Sequence, residues 1–258
     1  MVDRERRTAI VTGAGSEAGI GFAIARRLAV RGLHVAIVAT GAHIHDRADT
    51  LRGEGWSVQG HVADLRDPAA VTNLMDQVSG SDAVDVLVNN AGMVSIAGGS
   101  DAFKRLEDLT IEEWDDSMSR NVSSAFLMSK AVVPGMRTRG YGRIVHISSV
   151  TGPVVALERA SVYAAGKAAM LGMARALALE VASAGITVNV VAPGWIHTAS
   201  SSTTEVAAGA ASPIGRSGTP DEVAAAVDFL AGRDASYITG SMLVVDGGNH
   251  VIENVSGR

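Results

Sequence analysis

A phenol and an ammonium group lie four residues apart in the segment SVYAAGKAAM, residues 161–170. If this segment is helical, Tyr163 and Lys167 share one helix face, one turn from each other. A cation close to a phenol favours its ionised form, so such a pair could exchange a proton with a ligand near neutral pH. The alternative is a surface tyrosine beside a solvated lysine. The rest of the chain must decide between the two.

The composition of the chain excludes several classes of protein. The chain has 258 residues, 47% of them hydrophobic and 19% charged, which is typical of a folded globular domain. Its formal charge of −5 argues against a nucleic-acid partner. It has no cysteine, which excludes disulfides and thiolate chemistry. No apolar signal core and no membrane-length apolar run are present, so we expect a cytoplasmic protein without a membrane partner.

Short apolar runs rich in Val and Ile recur along the chain and mostly end in Gly, Asn, Asp or Ser, as buried parallel strands do. They are TAIVTG from residue 8, HVAIVA from 34, SVQGHVAD from 57, VDVLVNNAG from 84, RIVHISS from 143, ITVNVVAPG from 186 and SMLVVDGG from 241. Amphipathic stretches such as residues 21–31 and 68–78 alternate with them. This order predicts an α/β fold, a Rossmann-like doubly wound parallel sheet with helices on both faces, in one domain spanning residues 1–258.

In such a fold, ligands bind beyond the carboxyl ends of the strands. The first strand runs into TGAGSEAGIG, residues 12–21, and then into a helix. A glycine-rich turn at this place lets the backbone approach a pyrophosphate at the helix N-terminus, so it predicts dinucleotide binding. Residues 199–217, rich in small and hydroxyl side chains, are predicted to be a mobile loop or weak helix that covers the ligand.

The end of the second strand bears on the choice of cofactor. An NAD site places an Asp or Glu there against the ribose 2′-hydroxyl, whereas this chain has Ala39, Thr40 and Gly41. With no carboxylate to repel a 2′-phosphate, and with Thr40, His43 and Arg47 as nearby donors, NADP(H) is favoured over NAD(H). Glu17 in the glycine loop weakens that preference. Asp64, after the third strand, is either an acceptor for the adenine amino group or a helix cap.

Seven motifs in this order resemble the short-chain dehydrogenase/reductase family over essentially the whole chain. They are TGAGSEAGIG, NNAG at residues 89–92, Asn121 in SRNVSSAF, ISS at 147–149, Tyr163 to Lys167 as Y-x-x-x-K, NVVAPGWIHT ending at residue 198, and VVDGG at 244–248. The tail is similar to that of 3-oxoacyl-(acyl-carrier-protein) reductases. The resemblance implies an oxidoreductase that transfers hydride between a nicotinamide and a carbonyl or secondary alcohol.

The resemblance also implies roles for individual residues. Tyr163 would be the catalytic acid/base, Ser149 would hold the substrate oxygen, and Lys167 would contact the nicotinamide ribose and lower the pKa of the tyrosine. Asn121 would anchor a water in a proton relay. The implied cofactor-binding residues also include the two members of the Y-x-x-x-K motif and Gly13, Gly15, Gly19, Ile20, Gly21, Thr40, Asp64, Leu65, Asn90, Ala91, Gly92, Pro193, Gly194, Ile196 and Thr198. No metal is expected, and family members are commonly homotetramers.

One feature of the sequence departs from the family pattern, and the substrate is left open by the motifs. Five residues separate Gly13 from Gly19, so the glycine turn is two residues longer than the usual T-G-x-x-x-G-x-G. The motifs also fix the chemistry without fixing the substrate. A ketone or 3-oxoacyl reductase is the leading interpretation, and an NAD-dependent alcohol, steroid or polyol dehydrogenase is an alternative. A non-catalytic dinucleotide-binding regulator is an alternative of another class, and an enoyl reductase fits the Tyr-to-Lys spacing poorly.

Overall fold

The computed structural model describes residues 7–78, 84–92 and 103–252. Within these ranges, seven strands form one parallel sheet in the order β3-β2-β1-β4-β5-β6-β7. They are β1 (Thr8–Thr12), β2 (His34–Ala39), β3 (Val58–Val62), β4 (Val84–Asn89), β5 (Gly142–Ile147), β6 (Ile186–Pro193) and β7 (Met242–Val245). Each corresponds to an apolar run identified from the sequence, so the predicted doubly wound α/β fold is confirmed.

Helices cover both faces of this sheet. They are α1 (Ile20–Val30), α2 (Ile44–Gly53), α3 (Pro68–Gln77), α4 (Ile111–Met118), α5 (Ser124–Arg139), α6 (Ser161–Val181), α7 (Thr203–Ala210) and α8 (Pro220–Leu230). One apolar cluster packs α1, α2 and α8 against one face, and a second packs α3, α5 and α6 against the other. Because strands β1, β4, β5 and β6 are buried along their whole length, both layers are needed to cover the sheet.

The strand order reverses between β1 and β4, because the chain builds β2 and β3 on one side of β1 and β4 to β7 on the other. In doubly wound sheets the crevice at this switch point, at the carboxyl ends of the strands, is the ligand site. The glycine turn after β1, the NNAG turn after β4 and the ISS turn after β5 all lie at this edge. None of the helices within the described ranges has the length and apolar character that a membrane crossing requires.

Candidate active site

Tyr163, Lys167 and Ser149 meet where α6 begins beside the end of β5. Tyr163 lies in the first turn of α6, and Ser149 is the second residue after β5. The Ser149 hydroxyl oxygen accepts a hydrogen bond from the Thr151 N–H at 3.1 Å, and the Ser149 side chain is close enough to Tyr163 to lower the pKa of the phenol by hydrogen bonding. The bond from the backbone leaves the O–H proton of Ser149 free to donate.

The environment of Tyr163 sets its acidity. Burial raises the pKa of Tyr163 above its usual value of 10.0, the hydrogen bond with Ser149 lowers it, and the charge of Glu205 raises it further. The net shift is therefore upward, opposite to the direction that Lys167 was expected to impose. Tyr163 holds its proton at neutral pH, which suits a general acid that protonates a substrate oxygen.

Lys167 is 3% exposed, one turn further along α6. Its ammonium donates to the carbonyl oxygen of Ile147 at 3.1 Å and to that of Gly92 at 3.4 Å, and it lies 5.6 Å from the centroid of the Tyr163 ring. Burial lowers the pKa of Lys167 to about 8. An ammonium has three donors, so the two carbonyls leave one N–H available to a ligand.

Asn121 lies in a π turn, Ser119–Ser123, that joins α4 to α5. Its side chain is fully buried, and its amide donates to the carbonyl oxygen of Ser117 at 3.0 Å. The Oδ1 atom has no hydrogen-bond partner among the described residues. A Cβ on Gly92 would lie 2.7 Å from this oxygen, so Gly92 leaves room beside it. Buried amide oxygens are rarely left unpaired, so this one suits a water or ligand donor.

The glycine turn is tied to the end of β4. The Asn90 side-chain amide donates to the carbonyl oxygens of Thr12 and Gly13, each at 3.0 Å. The Thr12 hydroxyl oxygen accepts from the N–H groups of Asn90 at 3.0 Å and Ala91 at 2.9 Å. Gly13 has a φ of +69°, and a Cβ there would lie 2.8 Å from the Cα of Ala91. Asn90 therefore braces the turn, and Gly13 allows the close approach.

The start of α1 has the features of a phosphate cradle. Gly19 precedes Ile20 in extended backbone geometry, and no side chain in the described ranges caps this end of α1. A Cβ on Gly21 would lie 2.5 Å from the Gly13 carbonyl oxygen, so only glycine lets the helix begin so close to the turn. An uncapped helix N-terminus carries unsatisfied N–H groups and partial positive charge, which suit a pyrophosphate.

The glycine turn ends in an exposed tip. The Gly19 N–H donates to the Ser16 carbonyl oxygen at 3.0 Å, which closes a tight turn with Glu17 and Ala18 exposed at its end. The Glu17 carboxylate accepts from the Arg47 guanidinium of α2 at 2.6 Å. The longer turn therefore contacts the region after β2.

The predicted donors after β2 lie at the same edge. Thr40 is exposed, and the His43 ring lies against both Gly15 and Gly41, because a Cβ on either glycine would come within 2.6 Å of it. The glycines leave the space that the imidazole occupies. His43 thus lies between the glycine turn and the end of β2.

Asp64 and Leu65 follow β3 at this edge of the sheet. The Asp64 carboxylate accepts from the Arg66 guanidinium at 2.6 and 2.9 Å, and this hydrogen bonding holds the pKa of Asp64 below its usual value. Leu65 is buried. The helix-cap alternative for Asp64 is wrong, because the residue that caps α3 is Asp67, whose carboxylate accepts from the Ala69 N–H at 2.9 Å.

The residues after β6 lead toward α7. Gly194 packs on Asp246, since a Cβ at this glycine would lie 2.5 Å from the Asp246 Cβ. Ile196 forms a bridge with Gly218. The Thr198 N–H donates to the Ser201 hydroxyl at 2.9 Å, and β6 itself ends at Pro193. Residues 199–217 contain the helix α7, so the helical alternative for this stretch is confirmed for residues 203–210.

Two titratable residues that interact with Tyr163 or with Lys167 were not predicted as site residues from the sequence. Glu205 lies at the start of α7, where it closes a capping box with Ser202, and its negative charge raises the pKa of Tyr163. The S-x-x-E pattern at residues 202–205 was the available signal, but it indicates a helix start and not a site. His146 is fully buried in β5, and burial together with the Lys167 charge lowers its pKa to about 4.

Comparisons with known proteins agree with this geometry. A family model described as "Enoyl-(Acyl carrier protein) reductase" matches residues 13–250. The chain is 41% identical over 254 residues to "3-oxoacyl-[acyl-carrier-protein] reductase FabG" of Escherichia coli (strain K12), covering 96% of this chain and 99% of the relative. It is 36% identical over 265 residues to "Oxidoreductase UcpA" of the same strain, covering 97% of each. A variant of actinorhodin polyketide ketoreductase solved with NADPH has a TM-score of 0.85 at 35% identity, covering 98% of this chain and 100% of that one.

Proposed function

Because the chain belongs to the short-chain dehydrogenase/reductase family, we propose that it reduces the ketone of a 3-oxoacyl thioester, or a closely related ketone, to a secondary alcohol with NADPH. The family membership makes it an NAD(P)-dependent oxidoreductase that acts on C=O and CH–OH groups. The observation that carries the finer proposal is the hydrogen-bonded Ser149 and Tyr163 pair beside the buried ammonium of Lys167.

In the proposed mechanism, Tyr163 is the general acid. A ketone oxygen that accepts hydrogen bonds from Ser149 and Tyr163 is polarised for attack at its carbon. As negative charge builds on the oxygen, Tyr163 donates its proton to it, and Ser149 keeps its hydrogen bond to the same oxygen. Lys167, 5.6 Å from the Tyr163 ring centroid, supplies a positive charge that favours the resulting phenolate.

The residues present fit a nicotinamide dinucleotide. When bound, the nicotinamide supplies the hydride for reduction or accepts it in oxidation. We assign the pyrophosphate to the uncapped start of α1, at Gly15, Gly19 and Ile20. The free N–H of Lys167 suits a ribose hydroxyl, and we assign Thr198 and Ile196 to the carboxamide side. Asp64 is assigned to the adenine amino group, in place of the cap role that Asp67 fills.

Reprotonation of Tyr163 requires a route to solvent. Lys167 is the next charged group along α6, and the unpartnered Asn121 Oδ1 is buried close to Gly92, whose carbonyl accepts from Lys167 at 3.4 Å. We propose that Asn121 Oδ1 accepts from a water through which protons pass from solvent toward Lys167 and Tyr163. The buried Oδ1 supports this role because it is an acceptor to which no group in the described part of the chain donates a hydrogen bond.

The cofactor preference that we propose is NADP(H) over NAD(H). Its support is the Ala39, Thr40 and Gly41 sequence after β2, where a carboxylate would repel a 2′-phosphate, together with the donors His43 and Arg47. The actinorhodin ketoreductase structure was solved with NADPH, which agrees with this choice.

Further proposals concern the assembly and the covering segment. We propose a homotetramer in the cytoplasm, built through α5 and α6 and through β7, and supported by exposed apolar side chains such as Phe126 and Leu179. We also propose that residues 199–217 cover the substrate. The support is that α7 places Glu205 close enough for its charge to act on Tyr163.

The test combines a substrate panel with the variant Tyr163→Phe and its matched control Tyr237→Phe, a tyrosine that is fully exposed. Oxidation of NADPH is followed with a 3-oxoacyl thioester, simple cyclic ketones and a 2-enoyl thioester. We expect turnover of the 3-oxoacyl thioester, a loss of about 10³-fold in Tyr163→Phe, and no loss in Tyr237→Phe. Cofactor affinity, measured by fluorescence, should be the same in all three proteins.

Other outcomes identify the competing interpretations. Turnover of the enoyl thioester without any ketone turnover would mean that the enzyme reduces C=C bonds and that the ketone proposal is wrong. Oxidation of alcohols with NAD, without measurable ketone reduction by NADPH, would favour a dehydrogenase. Cofactor binding with no turnover of any substrate would favour the non-catalytic regulator.

A further inference from the structure

An ion pair joins the tip of the glycine turn to the first turn of α2. Arg47 Nη1 donates to Glu17 Oε2 at 2.6 Å, and the arginine side chain is only 24% exposed whereas the glutamate is 61% exposed. The Nε atom of Arg47 is buried and has no hydrogen-bond partner among the residues that the structure describes. The guanidinium therefore retains unused donor capacity toward the same edge of the sheet.

The pair contains Arg47, one of the donors that we propose for the 2′-phosphate of NADPH. Arg47 follows His43 by four residues, so the two side chains share one face at the start of α2. The His43 ring in turn lies against Gly15 of the glycine turn and Gly41 after β2. The donors that could recognise a 2′-phosphate thus lie at the junction of these two loops, and Arg47 is already bound to a carboxylate.

We propose that Glu17 is a specificity-determining residue that competes with a cofactor 2′-phosphate for the guanidinium of Arg47. This inference rests on the proposed use of a nicotinamide dinucleotide and adds a residue that limits the preference for NADPH. To bind the phosphate fully, Arg47 must share or release Glu17, and the carboxylate repels the phosphate while it stays nearby. NADH carries no such phosphate, so its affinity depends little on the pair.

The geometry of the glycine turn brings the Glu17 carboxylate to Arg47. Closure of the turn by the hydrogen bond from Gly19 N–H to Ser16 O leaves Glu17 at the tip, directed to α2. The turn therefore presents the Glu17 carboxylate to the guanidinium of Arg47.

The inference is tested by measuring dissociation constants for NADPH and NADH by fluorescence in the full-length protein. The variants are Glu17→Gln, Arg47→Met and the double variant. We expect Glu17→Gln to bind NADPH about fivefold more tightly and to bind NADH within about twofold of the unmodified protein. In the Glu17→Gln background, Arg47→Met should weaken NADPH binding about tenfold, because the guanidinium is then free to bind the phosphate. As a single variant it should weaken NADPH binding only about twofold, because Glu17 already occupies the guanidinium of the unmodified protein.

A matched control is the ion pair between Arg26 and Glu54, which joins α1 to the end of α2 at 2.8 Å. Glu54 lies seven residues beyond Arg47, about 10 Å further along the helix, so Glu54→Gln should leave both affinities unchanged. Thermal melts of all variants test whether they fold.

Two results would overturn the inference. NADPH affinity that is unchanged or weaker in Glu17→Gln would show that the carboxylate does not compete. Weaker NADH binding in Glu17→Gln would show that Glu17 instead accepts from a ribose hydroxyl. Either result leaves the proposed reductase activity intact, whereas an unmodified protein that binds neither cofactor would contradict the proposed function itself.

Discussion

The Lys167 ammonium lies 5.6 Å from the centroid of the Tyr163 ring and is held in place by two backbone carbonyls. The carbonyls come from Ile147 at the end of β5 and from Gly92 in the turn after β4. The position of the ammonium is therefore set by β5 and by the turn after β4, as well as by α6. The two residues are accordingly expected to titrate as parts of one site.

The first prediction concerns the pH dependence of ketone reduction. Burial places the pKa of Lys167 at about 8 and raises that of Tyr163 above 10.0, so the lysine loses its proton first as the pH rises. We expect kcat/KM for reduction to fall above about pH 8, where the charge that stabilises the phenolate disappears. Lys167→Arg keeps a cation at higher pH and should move this fall to higher pH, at a lower overall rate. A fall that stays in place in Lys167→Arg would assign it to another group.

A second prediction concerns Glu205, whose negative charge raises the pKa of Tyr163. Alcohol oxidation needs the phenolate, so its rate should rise with pH toward the tyrosine pKa. Glu205→Gln removes the charge while glutamine can still close the capping box with Ser202. The variant should therefore reach its maximal oxidation rate at a lower pH than the unmodified enzyme.

The control for this experiment is Glu113→Gln, which alters the same position of the capping box at the start of α4. It should leave the oxidation profile where it is. A profile that does not move in Glu205→Gln, or that moves to higher pH, would contradict the electrostatic coupling.

The fold could be predicted from the sequence because each strand is a short Val- and Ile-rich run that ends in a turn residue. The predicted helix over residues 68–78 is observed as Pro68–Gln77, and the one over 21–31 as Ile20–Val30. In both cases the pattern contains the physical cause, a buried face at helical spacing. The same holds for the site residues that directly follow strands, since the carboxyl ends of parallel strands share one edge.

The interactions between distant segments could not be predicted in this way. The pair of Glu17 with Arg47 spans 30 residues, and the effect of Glu205 on Tyr163 depends on where α7 folds back over the sheet. The rise in the pKa of Tyr163 was also missed, because desolvation depends on how tightly neighbouring elements pack. Local sequence patterns carry no information on that packing.

A third prediction concerns acid stability and His146. The pKa of this buried imidazole is lowered from 6.5 to about 4, so between these values the unfolded chain binds a proton that the folded chain does not. Stability must then fall as the pH falls from 6.5 toward 4, by about 2 kcal/mol between pH 7.5 and pH 5 from this group. His146→Asn, which retains an acceptor for the Asn89 amide and does not titrate in this range, should lose correspondingly less.

Urea unfolding at one protein concentration, at pH 7.5 and pH 5, measures this difference. His45→Asn, at an exposed histidine of α2, is the control and should follow the unmodified protein. An equal loss of stability in the unmodified protein and in His146→Asn would show that the buried histidine does not contribute to acid sensitivity.

A fourth prediction concerns the contact between the glycine turn and α1. In Gly21→Ala the new methyl group would lie 2.5 Å from the Gly13 carbonyl oxygen and 2.6 Å from the Asn90 side chain. The turn must shift, so we expect a destabilisation of about 1–3 kcal/mol and weaker binding of NADPH and NADH alike. Gly53→Ala, at a helical position with open space around it, should be neutral or stabilising by up to about 1 kcal/mol. Unchanged cofactor affinity in a folded Gly21→Ala protein would contradict the assignment of this turn to the pyrophosphate.

The last prediction tests the proposed tetramer. Leu179 on α6 is 86% exposed and Phe126 on α5 is 49% exposed, on the two helices proposed to pair between subunits. Burying such side chains against a second copy would remove apolar area from water, which is the main driving force for association. Leu179→Asp should therefore lower the mass measured by light scattering, whereas Leu106→Asp, at a leucine 68% exposed elsewhere on the surface, should not. An unmodified protein that is monomeric would refute the tetramer, and a tetramer that survives Leu179→Asp would assign its interface to another face.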